Sequence, residues 1–238
     1  HKLRETCYIR REKEEVSDDM PEKQRIVLDV DISNRGEYRQ AEEEFLDYLS
    51  NNLVFTDDDV IRYFKLKGTW KSFDESEKGG YREAYYTDKL LRAERGGILT
   101  KMLNLRYLAT KGKFDHIKSW VDSFFESNLD DKLVIAGNYN DHINAVTQYF
   151  QNTYGAQKIT GENRDYRDDI IDDFWNKDEC RIVVVNMAAA GVGVDLDIAS
   201  YMLVLDEFWN PSVMEQMEDR LHRITQKDPV YIYYLLGT

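Results

Sequence analysis

The chain has 238 residues, of which 42% are hydrophobic and 13% aromatic, so it carries enough apolar surface to exclude a disordered polypeptide. It contains neither an apolar run of about eighteen residues nor an apolar signal region, so we expect no membrane span and no secretion. The net charge of −13 excludes a protein that coats nucleic acid indiscriminately, and any such contact must be local, at loops and helix N-termini.

The first part of the chain predicts one strand and several helices. Residues 24–31 (QRIVLDVD) form a short β-branched run between polar residues, which is typical of a strand, and Ser33 is then placed to cap a helix. Residues 51–97 contain an acidic run, paired glycines and scattered aromatics, which predict a helical insertion. We therefore expect three parts, with limits at 1–50, 51–97 and 98–238.

From residue 98 onward the pattern becomes regular. Two helices, Ile98–Thr110 and Phe114–Glu126, precede short apolar strands that alternate with helices. Continuous apolar strands of this kind are typical of a parallel sheet covered by helices on both faces, with its site at the carboxyl ends of the strands. The fold class predicted is α/β. The predicted strands are 132–136, 157–160, 181–185, 201–205 and 230–235.

The segment 211–226 (PSVMEQMEDRLHRITQ) is the most informative stretch, and its spacing predicts one amphipathic helix that begins at a proline. Helical geometry sorts its side chains into a buried stripe, an adjoining strip and a solvent face. The buried stripe contains Val213, Met217, Leu221 and Ile224. The adjoining strip contains Gln216, Arg220 and Arg223. The solvent face contains Glu215, Glu218 and His222.

Spacing leaves two interpretations of the arginines open. At the edge of a cleft, Arg220 and Arg223 can fork onto phosphate oxygens, because a guanidinium keeps its charge and presents paired donors. Alternatively, they pair with Asp219 or neighbouring carboxylates on a solvated face.

The run EQMEDRLHRITQ resembles the last conserved motif of SWI/SNF-type superfamily-two helicases, Q-x-x-D-R-x-H-R-x-G-Q. Thr225 stands where that pattern has glycine. Residues 208–211 (FWNP) resemble the W-N-P element of the same family, and the pair Ala189-Ala190 upstream is most similar to its annealing-helicase branch. The matching positions of the last motif are Gln216, Asp219, Arg220, His222, Arg223 and Gln226.

This resemblance implies a RecA-like lobe that acts on ATP held by another lobe. Arg223, with Arg220 beside it, would be the arginine finger that reaches the γ-phosphate across the cleft between lobes. Gln216 would contact the nucleotide. ATP and Mg²⁺ would both be held mainly by the first RecA-like lobe. Residues 9–16 (IRREKEEV) resemble the segment that closes that lobe.

Residues 186–196 (NMAAAGVGVDL) resemble the fifth motif of the family, A-G-G-x-G-L-N-L. Gly193 and Asp195 are therefore expected to bind nucleotide, although Ala190 and Asp195 replace a glycine and an asparagine of the pattern. A tight turn after the strand explains the same glycines equally well.

Two further segments imply contacts with the DNA backbone. Residues 132–136 (KLVIA) resemble the fourth motif and 159–174 (ITGENRDYRDDIIDDF) the segment that follows it. Gly161 and Asn163 are candidates there, and a plain turn with a helix start is the alternative. Trp209 and Asn210 in the W-N-P element are the other candidates.

Several features predict no independent site. Asp206 and Glu207 imitate the acid pair of an ATP-binding lobe, but no phosphate loop accompanies them, so we interpret them as a turn. Cys7, Cys180 and the four histidines show no metal-ligand spacing, which predicts no metal site and a reducing, intracellular setting.

The sequence therefore predicts the C-terminal lobe of an ATP-dependent DNA translocase or helicase that is inactive on its own. Its expected partners are double-stranded or branched DNA and the first RecA-like lobe, with no membrane. Two alternatives stay open: a non-catalytic interaction module that binds a protein through its acidic surface, and a lobe of an RNA-directed superfamily-two helicase.

Overall fold

The computed structural model of the protein describes residues 20–53, 56–189, 194–207 and 210–237. In these ranges the chain forms helices around one parallel sheet. The helices are α1 (Arg35–Leu53), α2 (Asp57–Tyr63), α3 (Glu75–Gly96), α4 (Ile98–Gly112), α5 (Phe114–Ser127), α6 (Asn140–Tyr154), α7 (Arg167–Asn176) and α8 (Pro211–Glu218), with short 3-10 helices at Trp70–Ser72 and Gly161–Tyr166. The strands are β1 (Lys23–Val30), β2 (Leu133–Gly137), β3 (Gln157–Ile159), β4 (Ile182–Asn186), β5 (Tyr201–Val204) and β6 (Val230–Gly237).

The strands lie in the order β1-β6-β5-β2-β4-β3, and each pairs in parallel with its neighbours. The predicted α/β lobe is confirmed, and each predicted strand lies within two residues of an observed one. The central strands are buried throughout because β-branched runs such as Ile182–Val185 pack side chains on both faces of the sheet.

Helices cover both faces of the sheet, as predicted. Alternate residues of β2 point to opposite sides, so Val134 joins one apolar cluster and Ile135 the other. The first cluster includes Phe174 of α7 and Met217 of α8, whereas the second includes Val121 of α5 and Ile143 of α6.

The chain order creates a switch point between β2 and β5. From β2 the chain runs through α6 toward β3 and β4 on one side, and from β5 it runs through α8 to β6 on the other side. Neighbouring strands whose connections diverge leave a crevice at their carboxyl ends, and open α/β sheets bind ligands there. This crevice is therefore the place to look for a site.

The chain divides into two compact units. The sheet unit contains β1 and the chain from Lys113 onward, and the helical unit is Ile32–Gly112. These limits differ from those predicted after residues 50 and 97, because α1 and α4 belong together. Asn34 donates to the carbonyl of Leu108 at 3.0 Å, and Ser33, which was predicted to cap α1, instead donates its hydroxyl to Gly112 at 3.1 Å.

The helical unit has an apolar cluster of its own. Val60, Trp70 and Tyr85 are buried, and Phe64 and Phe73 pack against them. Their rings meet edge to face, with 5.2 Å between the centroids of Phe64 and Tyr81, an arrangement that aromatic rings favour. The predicted insertion thus contains a packed core between α2 and α3.

Candidate functional site

The switch point is closed by a polar network between three strand ends. Asn138, directly after β2, donates its backbone N–H to Asp206 Oδ1 at 3.1 Å, and its side-chain amide also binds the Asp206 carboxylate. Asn186 at the end of β4 donates to the Asn138 carbonyl at 3.0 Å. Asp206 is only 7% exposed, so its carboxylate holds the strand ends together. Its interpretation as part of a turn agrees with the bend observed there.

The loop after β4 begins with a side-chain turn. Asn186 Oδ1 accepts hydrogen bonds from the backbone of Ala188 at 3.0 Å and Ala189 at 3.3 Å. Asparagine stabilises turns in this way because its side chain replaces a backbone acceptor. Gly193, predicted to bind nucleotide, lies outside the described residues, and the loop is described again from Val194 onward.

The predicted helix over 211–226 is wrong in its second half. Asn210 Oδ1 accepts from the backbone of Ser212 at 3.0 Å, and Pro211 follows at the first helical position, so the start is as expected. The helix ends at Glu218, and tight turns follow, in which the N–H of Arg223 bonds to the carbonyl of Leu221 at 3.1 Å.

Long-range bonds explain why the helix stops. The backbone N–H of Leu196 donates to the Arg220 carbonyl at 3.2 Å. The Gln226 side chain donates to the carbonyls of Asp197 and Ala199, both at 3.1 Å. The segment after α8 therefore uses its polar groups to bind the loop after β4 instead of extending a helix.

Because the helix ends early, the burial of several side chains in this segment differs from the prediction. Ile224 was expected to be buried but is 76% exposed, whereas Glu218 and His222 were expected in solvent and are buried. Glu218 receives hydrogen bonds from Arg25 at 2.6 and 2.7 Å and from Lys23 at 2.9 Å, and a ring nitrogen of His222 lies 2.8 Å from the Pro21 carbonyl oxygen. β1 and the residues before it supply these partners, so a helical projection could not place them.

The environment of Glu218 shifts its acidity. Burial acts to raise the pKa of this carboxyl, but hydrogen bonds from Arg25, Tyr234 and Lys23 outweigh burial, and the pKa lies below its usual value. The same contact, together with burial, raises the pKa of Tyr234. Glu218 is thus a charged anchor that joins α8 to β1 and β6.

The structure brings two predicted site residues together. Arg223 Nη2 lies 2.5 Å from Asp195 Oδ1, with the arginine side chain 33% and the aspartate side chain 57% exposed. Trp175 donates to the Asp195 carbonyl at 3.2 Å, which fixes the backbone of this loop. The guanidinium of Arg223 therefore already binds an anionic oxygen while remaining partly open to solvent. Its partner is Asp195, not the Asp219 considered from spacing.

Two other residues predicted to act on the nucleotide, Gln216 and Arg220, take no part in the ion pair between Arg223 and Asp195. Gln216 lies exposed on α8, and Arg220 is half-buried in the turn that follows. Arg220 and Arg223 do not share one helical strip, because the helix has ended before either residue.

A second concave region lies at the carboxyl ends of β3 and β4. It is a cavity of about 260 Å³. Gly161, a predicted contact of the DNA backbone, lines this cavity, and so do Arg164 and Arg167, two arginines that sequence reasoning did not select. Their spacing of three residues after a Thr-Gly turn was the available signal. The complete lining is Ile159, Thr160, Gly161, Arg164, Arg167, Ala188 and Ala189.

The side chain of Asn163 holds the turn that lines this cavity. Its Oδ1 accepts from the Thr160 backbone at 2.8 Å, and its Nδ2 donates to the Lys158 carbonyl at 2.7 Å. Because both ends of the amide are engaged, the side chain fixes the turn that presents Gly161 and the arginines.

Two predicted DNA contacts remain in the W-N-P element. Trp209 lies outside the described residues. Asn210 is exposed, but its side-chain oxygen caps α8, as described above. Within the described ranges, no group of three or more His, Cys, Asp or Glu side chains could hold a metal ion, and no described helix is long and apolar enough to cross a membrane.

Comparison with known proteins now identifies the lobe. Residues 112–225 match the helicase conserved C-terminal domain. The ATP-dependent helicase ULS1 of Saccharomyces cerevisiae is 26% identical over 172 residues, which is 69% of this chain and 11% of that protein. A second relative is a SWI/SNF-related matrix-associated actin-dependent regulator of chromatin subfamily A-like protein 1 homolog of Caenorhabditis elegans. It is 37% identical over 84 residues, which is 35% of this chain and 12% of that protein. Together these matches support a C-terminal lobe of the SWI/SNF-type superfamily-two helicases.

Solved structures agree with this family at the level of the fold. The C-terminal part of the Fun30 ATPase domain has a TM-score of 0.62 at 15% identity, covering 92% of this chain and 86% of that one. The Sulfolobus solfataricus SWI2/SNF2 ATPase core in complex with dsDNA has a TM-score of 0.62 at 18% identity, covering 92% and 42%. The chain spans only 11–12% of the length of the two curated relatives named above.

Proposed function

We propose that the protein carrying this lobe is an intracellular, ATP-dependent translocase of double-stranded or branched DNA. In this proposal the lobe supplies Arg223 and Arg220 to ATP bound with Mg²⁺ by the first RecA-like lobe. The observation that carries the proposal is the partly exposed guanidinium of Arg223, which binds a carboxylate oxygen beside the strand-end loop.

The residues present fit a phosphate group. Carboxylate and phosphate oxygens offer a guanidinium the same hydrogen-bond geometry, so the contact with Asp195 shows that Arg223 can hold an anionic oxygen here. Bound ATP supplies the phosphoryl group that is transferred to water. Arg223 exchanges Asp195 for phosphate oxygens and stabilises the negative charge of the transition state, with Arg220 beside it.

The cavity at the ends of β3 and β4 supports the DNA-binding part of the proposal. Arg164 and Arg167 place two positive charges beside Gly161, whose lack of a side chain leaves the backbone accessible. Backbone amides and arginines are the groups that position proteins on phosphodiesters. A DNA repair protein, RAD5 of Candida glabrata, is a relative with 24% identity over 155 residues, which further favours DNA as the track.

The arginine finger can be tested by replacing Arg223 with alanine in the whole protein. We expect DNA-stimulated ATP hydrolysis to fall on the order of 10³-fold in kcat, because an arginine finger acts mainly in the transition state. Steady-state ATPase assays with saturating duplex DNA measure this, and Arg223→Lys, which keeps the charge without the fork, should recover only part of the rate.

Arg39→Ala is the matched control, because it removes an exposed guanidinium from the helical unit. Thermal melting should show that both variants remain folded. Near-normal turnover by a folded Arg223→Ala protein would rule out the finger role.

The annealing-helicase branch suggested by Ala189 and the W-N-P element stays a prediction. Strand-annealing assays with complementary single strands test it. The interaction-module alternative would instead require ATP hydrolysis to be absent from the whole protein.

A further inference from the structure

Positive charge is concentrated in the helical unit, at the turn after α2. Residues 60–73 contain four cations, Arg62, Lys65, Lys67 and Lys71, and no aspartate or glutamate. All four are exposed. Acidic residues flank this segment at 57–59 and 74–77, so the positive charge is confined to the segment itself. We call residues 62–71 the basic loop.

The basic loop is held by an ordered backbone. The N–H of Leu66 donates to the carbonyl of Ile61 at 2.8 Å, and the N–H of Trp70 and the hydroxyl of Thr69 both donate to the carbonyl of Leu66, at 3.2 and 3.1 Å. Trp70 is buried in the apolar cluster beneath the loop. The cations therefore project from a fixed turn, which lowers the entropy that they lose when they bind a ligand.

The backbone of the basic loop adopts the left-handed conformation at two positions. Lys65 has a φ of 57° and Gly68 a φ of 97°, so both residues occupy the left-handed region. A side chain at Gly68 would meet nothing within 4 Å, so glycine is needed here for the backbone conformation and not for close packing. Successive turns of this kind can present N–H groups to an anion.

The lysines of the loop lack internal counter-charges. Lys65, Lys67 and Lys71 form no ion pair with any residue that the structure describes. By contrast, Lys78 lies 2.9 Å from Glu75 and Lys111 lies 3.0 Å from Glu37. Neighbouring ammonium groups without carboxylates repel each other, and a polyanion relieves that repulsion.

We propose that the basic loop binds the phosphodiester backbone of nucleic acid, as a contact additional to those in the proposed motor function. Lysine is depleted at the core of protein interfaces, where exposed aromatic residues are enriched instead. Here Trp70 and Phe73 belong to the internal cluster of the helical unit, so Tyr63 is the aromatic residue that the basic loop exposes beside its four cations. That combination favours phosphate over an acidic protein partner.

The full chain tests this proposal through its binding of a 20-base-pair DNA duplex, measured by fluorescence anisotropy at several salt concentrations. The variant Lys65→Gln/Lys67→Gln/Lys71→Gln should bind more weakly. The slope of log K against log salt should become shallower by roughly 2 to 3, because each phosphate contact contributes about 0.9. A duplex RNA arm shows whether the contact also accepts that backbone.

The matched control, Lys78→Gln/Lys111→Gln/Lys118→Gln, changes the net charge equally but removes lysines that already pair with carboxylates. Its slope should stay close to that of the unmodified chain. Equal affinity and slope for the two variants would overturn the proposal, as would loss of binding to a polyglutamate peptide without any loss for DNA. The arginine finger stands or falls separately, in the ATPase assay of Arg223→Ala.

Discussion

At the scale of single residues, Glu218 shows how one buried carboxylate can set the end of a helix. Its two oxygens accept bonds from Arg25, Lys23 and Tyr234, and 1% of its side chain is exposed. A buried charge is tolerated only when its oxygens are paired in this way. Because Glu218 is the last residue of α8, this anchor determines where the turns that carry Arg220 and Arg223 begin.

Replacing Glu218 with glutamine should lower the free energy of unfolding by about 1–3 kcal/mol at pH 7, since the variant removes the buried negative charge that Arg25 and Lys23 share. The pKa of Glu218 is depressed in the folded protein, so its stabilisation is complete above the unfolded value of about 4.3 and is lost as the pH falls through the lower folded value. Urea denaturation across this pH range measures the effect.

The difference between the unmodified protein and Glu218→Gln should therefore shrink as the medium is acidified below about pH 4. Glu215→Gln is the control on the same helix, because Glu215 is exposed. A difference that stays constant with pH would contradict a role for the Glu218 charge.

At the scale of elements, hydrogen bonds of one side chain determine the turn between β3 and α7. Asn163 bonds to Thr160 and to Lys158, and this closes the turn at the end of the strand. Arg164 in the 3-10 helix Gly161–Tyr166 and Arg167 at the start of α7 then line the cavity beside Ala188. A short edge strand and a capping asparagine thus determine the direction of two arginines.

The double variant Arg164→Ala/Arg167→Ala should weaken DNA binding and make its salt dependence shallower by roughly 2, because up to two phosphate contacts are removed. ATP hydrolysis without DNA should change little. Anisotropy titrations at increasing salt, alongside ATPase assays with and without duplex, measure both expectations.

Arg35→Ala/Arg39→Ala provides a control with the same loss of charge from α1. If its salt dependence and that of the cavity variant are identical, the cavity is not a DNA contact.

At the scale of the whole molecule, the proposed function requires a nucleotide and a nucleic-acid track that other parts of the protein would help to hold. Under the proposed function, duplex DNA should raise the ATPase rate of the whole protein more than duplex RNA does. A larger effect of RNA would support an RNA-directed helicase, and stimulation by neither would support the interaction module. Rates measured with matched duplexes at equal salt separate these outcomes, because affinity for any backbone depends on salt.

The extent to which sequence predicts this molecule differs between its elements. β2 and β4 were predictable because local runs such as RIVVV suit only a strand buried on both faces. The motif around Arg223 was predictable by resemblance, which needs only residue types and spacing. The course of that motif was not predictable, because helical periodicity assumes a helix that continues, and α8 ends at Glu218.

By itself, then, the sequence determined the parallel α/β lobe and its resemblance to the SWI/SNF-type helicases, since these depend on short-range apolar patterns and motif spacing. Only the tertiary structure decided that Glu218 is buried, that Arg223 meets Asp195, and that Arg164 and Arg167 share a cavity. The physical reason is distance along the chain. Arg25 and Glu218 are 193 positions apart, so no local sequence pattern shows that Arg25 on β1 will pair with the Glu218 carboxylate.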